Sequence, residues 1–360
     1  MNKSADVVVI KSDSSGKQSV LQMMGPNIKL NPLGITLVIV LLGAGVFYVM
    51  SGSNWFKREA KVNLKELLAA GISLTEEGGN VVRNLRQKTD LEKNVKGETK
   101  EGAKEYVTGA DIESHRIMTF GFMKTFPGIS VISEEKDSEE PSDFTPPSLT
   151  HPELSELPNK VVSVGDIAVW VDPLDATQEY TEGGNLTRFV TTMACVAVRG
   201  VPTIGVIHLP FSKETYWGWA GQGYTKKLTP SDSRASLDHT KIIVSRSHAG
   251  AVKDVAKEAL GPDTEVIPAG GAGYKTLQVI KGTVDAYVHV TRIKKWDICA
   301  GNAIINSVNG KMSTIDGDLI DYSASGNAVN DAGLLATLRD HEDLQQKLKP
   351  IKDKMKDSKH

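Results

Sequence analysis

Cysteine is scarce: the chain has two in 360 residues. That count excludes the dense disulfide framework on which small secreted domains depend. Cys195 falls in an apolar strand pattern and Cys299 in a helical one, far apart in sequence. Both read as core positions, so two free buried thiols are expected rather than a bond between them. Excess charge is missing too. There are 42 Lys and Arg against 44 Asp and Glu, a net charge of −2, with the two signs interspersed. No polyanion-binding surface follows from that distribution, which argues against nucleic acid polymers as partners. Internal repeats and low-complexity tracts are also absent. What is present is 40% apolar content, enough for a large core in one multilayered domain or two joined lobes.

Charge is lacking altogether from residues 33 to 50, the run Leu33-Gly-Ile-Thr-Leu-Val-Ile-Val-Leu-Leu-Gly-Ala-Gly-Val-Phe-Tyr-Val-Met50. At a rise of about 1.5 Å per residue, roughly 18 residues reach about 27 Å, enough for a thinner bilayer. A buried core helix would show a polar face, and this run has none. A cleaved signal peptide would start nearer Met1 and end in a better cleavage site than Ser51-Gly-Ser-Asn-Trp55. The expectation is one uncleaved anchor over 31–51, after a polar tail (1–30) and before a stalk (52–61). Lys3, Lys11, Lys17 and Lys29 balance Lys57, Arg58, Lys61 and Lys65, so the positive-inside comparison gives no orientation. Asn185-Leu-Thr187 is an N-glycosylation acceptor sequence and favours a lumenal domain; Asn2-Lys-Ser4 would be used only in the opposite orientation.

The richest stretch is Trp170-Val-Asp-Pro-Leu-Asp-Ala-Thr-Gln-Glu179. An apolar strand runs into two carboxylates, and Pro173, which cannot donate to a ladder, is expected to end it. Asp172, the Leu174 carbonyl and Asp175 can then face one point, three hard oxygen ligands that suit Mg²⁺. The amides of Ala176 and Thr177, at a helix start, could hold a phosphate beside the metal. Taken alone, the turn could equally be a helix cap. Three further motifs follow the same logic: Asp111 in Tyr106-Val-Thr-Gly-Ala-Asp111, Glu134-Glu135 after the apolar Ile129-Ser-Val-Ile132, and Trp296-Asp297 opening an apolar helix that closes on Asn309-Gly310.

In chain order, Asp111, then Glu134-Glu135, then Asp172 to Thr177, then Trp296-Asp297, the four motifs resemble the lithium-sensitive, Mg²⁺-dependent phosphomonoesterase superfamily of the inositol monophosphatases. Asn309-Gly310 stands where the family has Gly-Gly, and Asn tolerates positive φ. The resemblance covers roughly residues 62 to 345 and implies a layered α/β/α/β/α sandwich, here divided into halves at 62–235 and 236–345. It implies two or three Mg²⁺ ions on Glu134, Asp172, the Leu174 carbonyl, Asp175 and Asp297. Asp111 and the Thr177 hydroxyl would orient and deprotonate the attacking water. Ser245 and His248, in Val244-Ser-Arg-Ser-His248, and Gly271 and Lys275, in Gly270-Gly-Ala-Gly-Tyr-Lys275, are the expected substrate contacts. Lys294-Lys295 adds two cations beside the metal. Lys295 is taken as the second-phosphate contact, because nucleotide phosphatases of the family must hold a second phosphate.

The resemblance therefore points to hydrolysis of 3′-phosphoadenosine 5′-phosphate to AMP in the Golgi lumen, relieving product inhibition of sulfotransferases. Inositol phosphate is the alternative substrate, and a homodimer is allowed. The retained carboxylates weigh against an inactive membrane-tethered scaffold. Elsewhere, a helix is expected from an Asn63 cap through Leu85, interrupted by Gly78-Gly79, which would let another helix approach. Strands are expected at Thr191–Val198, Thr203–His208 and Thr215–Ala220. The Pro-rich stretch 136–166 reads as a surface loop, and 346–360 as a solvated charged tail.

Overall fold

The computed structural model describes residues 9–12, 18–21, 31–55, 60–87, 93–98, 104–136, 139–141, 144–230, 239–246 and 249–357. The chain forms two units, Met1–Arg58 and Glu59–His360. In the first, strands β1 (Val9–Ser12) and β2 (Gln18–Leu21) pair antiparallel, and the uncharged run folds as helix α1 (Pro32–Trp55). Leu37, Ile39, Val40, Leu41 and Leu42 of α1 are all exposed. Among the described residues no helix is long and apolar enough to cross a membrane.

The second unit opens with β3 (Lys61–Asn63) and α2 (Leu64–Arg86). Asn63 caps α2 as its side chain accepts from the Lys65 amide at 3.1 Å. A hairpin of β4 (Lys93–Glu98) and β5 (Lys104–Thr108) leads into α3 (Gly109–His115), a π-helical turn (Arg116–Phe120) and α4 (Gly121–Thr125). Strands β6 (Ser130–Ser133), β7 (Val161–Ser163) and β8 (Ile167–Asp175) follow, then α5 (Thr177–Glu182). Next come β9 (Thr191–Val198), β10 (Val201–Leu209), β11 (Glu214–Trp219) and β12 (Gly223–Tyr224). These form a six-stranded sheet in the order β12-β11-β10-β9-β8-β6, antiparallel except for β6 and β8.

The remainder alternates: β13 (Lys241–Ser245), α6 (Ala249–Leu260), β14 (Glu265–Ala269), α7 (Ala272–Ile280), β15 (Ala286–His289), β16 (Ile293–Lys294) and α8 (Lys295–Ser307). It ends with β17 (Lys311–Ser313), β18 (Val329–Asn330), β19 (Leu334–Thr337) and α9 (His341–Asp357). The second sheet runs β14-β13-β15-β19-β17.

Strand periodicity assigns the layers. On β8 and β9, Val169, Val171, Ala194 and Val196 face α2 and its Leu64, Leu68 and Ile72. Their neighbours Trp170, Met193 and Cys195 face α7 and α8, which also meet Tyr287 and Leu334 of the second sheet. On β13, Ile242 and Val244 turn outward to Ala256 of α6 and Leu344 and Leu348 of α9. The order is α/β/α/β/α, the expected sandwich.

Gly78 and Gly79 do not break α2. A Cβ at Gly78 would lie 2.6 Å from Ser114 Oγ, and one at Gly79 2.8 Å from His208 Nε2, so both admit close neighbours, α3 and β10. Asn309 adopts the expected positive φ, 62°.

Two expectations fail here. The two cysteines are not free: Cys195 of β9 and Cys299 of α8 form a disulfide with Cα atoms 5.6 Å apart. Sequence distance hid the pairing, because the inner face of the first sheet meets α8 at that point. The 136–166 stretch is not simply a surface excursion. Its β7 pairs with β3, Leu154 is buried, and Glu153 Oε2 accepts from Trp217 Nε1 and Thr225 Oγ1, both at 3.0 Å. The charged tail continues α9 as far as Asp357, with Leu348 buried and Lys347 and Lys349 exposed as expected.

His208 carries a pH prediction. It is buried, with Nδ1 2.9 Å from Thr215 Oγ1. Burial, with Arg83 nearby, lowers its pKa from 6.5 to about 4. Below pH 6.5 the unfolded chain binds this proton and the folded chain does not, so stability falls with pH until about 4. The loss approaches about 3 kcal/mol for this group. His208→Gln should remove that part of the acid sensitivity in urea titrations between pH 7 and 4.5; an unchanged difference across that range would refute the assignment.

Candidate active site and metal centre

The site forms where β8 meets β9. The ladder steps from Asp172 opposite Met193 to Asp175 opposite Thr191, leaving Pro173 and Leu174 as a bulge. Pro173 therefore does not end the strand; it occupies a bulge, where its missing N–H costs no ladder bond. Asp172 is buried, and its Oδ1 accepts from the Leu174 amide at 3.1 Å. Ala176 takes a left-handed conformation, φ 66°, and turns the chain into α5.

Thr177, the first residue of α5, reaches Asp111 Oδ1 at 3.1 Å and the Leu174 carbonyl at 3.0 Å with the same hydroxyl. Asp111 is fully buried at the third position of α3, where its Oδ2 accepts from the Thr108 amide (2.7 Å) and hydroxyl (2.6 Å). The carboxylate that caps the helix is also the one that Thr177 reaches. Ser114 Oγ, one turn on, donates to the Pro173 carbonyl at 2.7 Å and ties α3 to the bulge.

Glu134 follows β6, its amide donating to Val171 O at 3.2 Å. Asp297 lies in the first turn of α8 and accepts from the Lys294 amide at 3.2 Å. One oxygen each from Glu134, Asp172 and Asp297 fall within 4.8 Å of one another. Burial, then the charges of Glu134 and Asp175, push the Asp297 carboxyl well above its ordinary range. Hard oxygen donors crowded until they resist ionisation fit a divalent cation of the magnesium class.

Asp175 stands at the edge of this cluster, turned towards α7. Its Oδ2 accepts from the Gly273 amide at 2.9 Å and from Thr191 Oγ1 at 3.1 Å. Burial raises its pKa against the pull of Lys275 and these donors. Gly271, at φ 64°, leads into α7, and a Cβ there would lie 3.1 Å from Asp175 Oδ2. Gly271→Ala should destabilise the protein by roughly 1–2 kcal/mol through the left-handed backbone alone. The added methyl would also press on the Phe189 carbonyl, its nearest neighbour, and urea titration checks the loss.

Lys275 is buried, with Nζ donating to the Gly271 carbonyl at 2.6 Å and lying 5.1 Å from the Tyr287 ring. Its charge acts on Asp175, Glu179 and Asp297 through space. Of the lysine pair, Lys294 is the one whose charge lowers the Asp297 carboxyl. Lys295 is buried instead, with Nζ 6.0 Å from the Trp170 ring, and answers to Asp321. Ser245 ends β13 opposite Ala269, His248 lies outside the described residues, and Asn185 is exposed on a 3₁₀ turn, Gly184–Phe189.

Arg246 escaped the sequence reading. Its two terminal nitrogens donate to Glu179 Oε1 (2.8 Å) and Glu182 Oε2 (3.0 Å), joining α5 to the end of β13. The signal was available in Ser-Arg-Ser-His, where only the serine and histidine drew notice.

A model of the inositol monophosphatase family matches residues 63–351. The chain is 47% identical to "Inositol monophosphatase 3" of Danio rerio, over 89% of this chain and 96% of that one. It is 41% identical to the "Golgi-resident adenosine 3',5'-bisphosphate 3'-phosphatase" of Mus musculus, with the same coverage. Among solved structures, inositol monophosphatase from Anabaena superposes with a TM-score of 0.56 at 21% identity, covering 80% of this chain and 96% of that one.

Proposed function

We propose, given that this chain belongs to the inositol monophosphatase family, that it is a metal-dependent phosphatase acting on the 3′-phosphate of 3′-phosphoadenosine 5′-phosphate. AMP and inorganic phosphate are the products. The observation that carries the chemistry is the Glu134, Asp172 and Asp297 cluster beside the Asp111–Thr177 hydrogen bond. Glu134, Asp172, Asp175, Asp297 and the Leu174 carbonyl would hold magnesium. Bound there, the ion supplies charge neutralisation for phosphoryl oxygens and acidifies water.

The protein's own part is to orient and accept. Asp111 Oδ1 and the Thr177 hydroxyl form one polar pair that orients the attacking water, and Asp111 is the acceptor for its proton. Gly271, lacking a Cβ, lets the chain pass close to Asp175 and the Phe189 carbonyl as it enters α7. Lys275 offsets part of the negative charge of Asp175, Glu179 and Asp297. Lys294, Ser245 and His248 are the contacts for the second phosphate and base, with Lys295 set one layer behind.

Substrate choice rests on the cation beside Asp297 and on the mouse relative's named activity. The Danio relative's name favours an inositol phosphate instead. Phosphate release from both compounds by the purified full chain with Mg²⁺, with and without Li⁺, separates the readings. The expected result is Li⁺-sensitive release with kcat/KM at least about tenfold higher on the nucleotide, or about 1.4 kcal/mol of discrimination. The reverse preference would establish the inositol reading.

The proposed location is the Golgi membrane, single-pass, with the catalytic unit lumenal. The Golgi residence in the mouse relative's name supports the location, and the Cys195–Cys299 bond supports an oxidising compartment. Exposed Asn185 is the proposed glycosylation site. The implied role is removal of a sulfotransferase product.

A further inference from the structure

We infer that the Cys195–Cys299 disulfide is a positioning element of the metal centre, bracing the helix that presents Asp297 against the strands that present Asp172. The inference rests on the metal-dependent reading above. Cys299 is two residues beyond Asp297 on α8. Cys195 sits on β9 directly opposite Trp170 of β8, two residues before Asp172. The bond therefore links the two arms of the carboxylate cluster close to their tips, on the inner face of the sheet where both cysteines are fully buried.

The surrounding packing is shaped to bring α8 down at this point. Trp170, Cys195, Gly205 and Gly218 form one row across β8, β9, β10 and β11. At Gly205 a Cβ would lie 2.9 Å from the Ala300 carbonyl carbon, and at Gly218 2.9 Å from Ile304 Cα. Trp170 meets Trp296 at the head of the same helix, ring centroids 6.5 Å apart. The two glycines let the helix in, while the disulfide keeps its first turn there.

Such a brace answers a specific load. Glu134, Asp172 and Asp297 each bring an oxygen within 4.8 Å of the others, and like charges that close repel, pushing the start of α8 away from β8 whenever no cation is bound. A covalent tie two residues from each ligand holds the donors at coordinating distance in the metal-free protein, so binding need not reorder them. The same bond at a remote point of the fold would stabilise the chain without touching metal affinity.

The test is calorimetric titration of Mg²⁺ into the metal-free full chain, comparing wild type, Cys195→Ala/Cys299→Ala and Leu348→Ala. The last removes a buried contact in the outer α6/α9 layer and controls for general loss of stability. Each protein is held at a temperature where circular dichroism shows it folded. The expected result is a Kd for Mg²⁺ raised about 10–100-fold in the double variant and unchanged in Leu348→Ala. Cys195→Val/Cys299→Ala, which refills lost volume, should show the same weakening. A Kd equal to wild type in either cysteine variant, or equal weakening in Leu348→Ala, overturns the inference. Failure of both cysteine variants to fold overturns it too, since the bond would then serve the whole fold rather than the site. Absence of Mg²⁺ binding by wild type is a separate outcome, which removes the metal-dependent reading itself.

Discussion

Asp172→Asn is expected to reduce kcat/KM for phosphate release about a thousandfold or more, a loss of about 4 kcal/mol of transition-state stabilisation, while leaving the metal-free fold at least as stable. The two halves of the prediction have one cause. Asp172 is a buried carboxylate whose oxygen lies within 4.8 Å of one from Glu134 and one from Asp297, and like charges that close repel. Removing one charge relieves the repulsion. The Asn side chain keeps an oxygen to accept from the Leu174 amide, so the bond that shapes the bulge is retained. What disappears is an anionic donor to the cation. A carboxylate whose only task was to cap the turn would behave oppositely, costing about 1 kcal/mol of stability and little activity. Urea titration and steady-state kinetics on the same preparation distinguish the two patterns.

Gly205→Val is expected to destabilise the protein by about 3 kcal/mol or more, towards the upper end of overpacking effects. Gly205 is central in β10, between Cys195 and Gly218, and its missing side chain is the space that α8 fills. Added carbon atoms would meet the Ala300 carbonyl of α8. Helix backbone cannot rotate aside as a flexible side chain can. The strain would be relieved only by lifting α8, which would also carry Asp297 away from Glu134 and Asp172. Stability and Mg²⁺ affinity should therefore fall together, unlike in Asp172→Asn. A shift in unfolding midpoint of less than about 0.5 kcal/mol, the range of an ordinary surface change, would contradict this account of the helix–sheet contact.

Much of the site could be read from the sequence because its carboxylates announce themselves locally. Asp172 and Asp175 end an apolar strand, Glu134 ends another, and Asp111 and Asp297 sit in first helical turns. Each position is fixed by neighbours a few residues away. Side-chain direction is not fixed that way. Lys294 and Lys295 are adjacent, yet only Lys294 acts on Asp297, because the helix begins at Lys295 and turns that side chain towards Trp170 and Asp321. Lys275 was expected among the substrate donors; one helical turn instead folds its ammonium back onto the Gly271 carbonyl.

The fold shows the same division. The strands β9, β10 and β11 were legible from apolar runs between turns. The Cys195–Cys299 pairing was not, since it depends on α8 crossing the first sheet. Pro173 misled because a proline that ends a regular strand is also at home in a bulge.

The most direct measurement of the metal centre is an anomalous difference map from crystals of the protein grown with Mn²⁺, which shares the preference of Mg²⁺ for oxygen donors. The account predicts a peak bounded by Glu134, Asp172 and Asp297, with ligand oxygens about 2.0–2.3 Å away, lost in Asp172→Asn. Clear density for the three carboxylates with no peak between them, or a peak that survives Asp172→Asn, would contradict it.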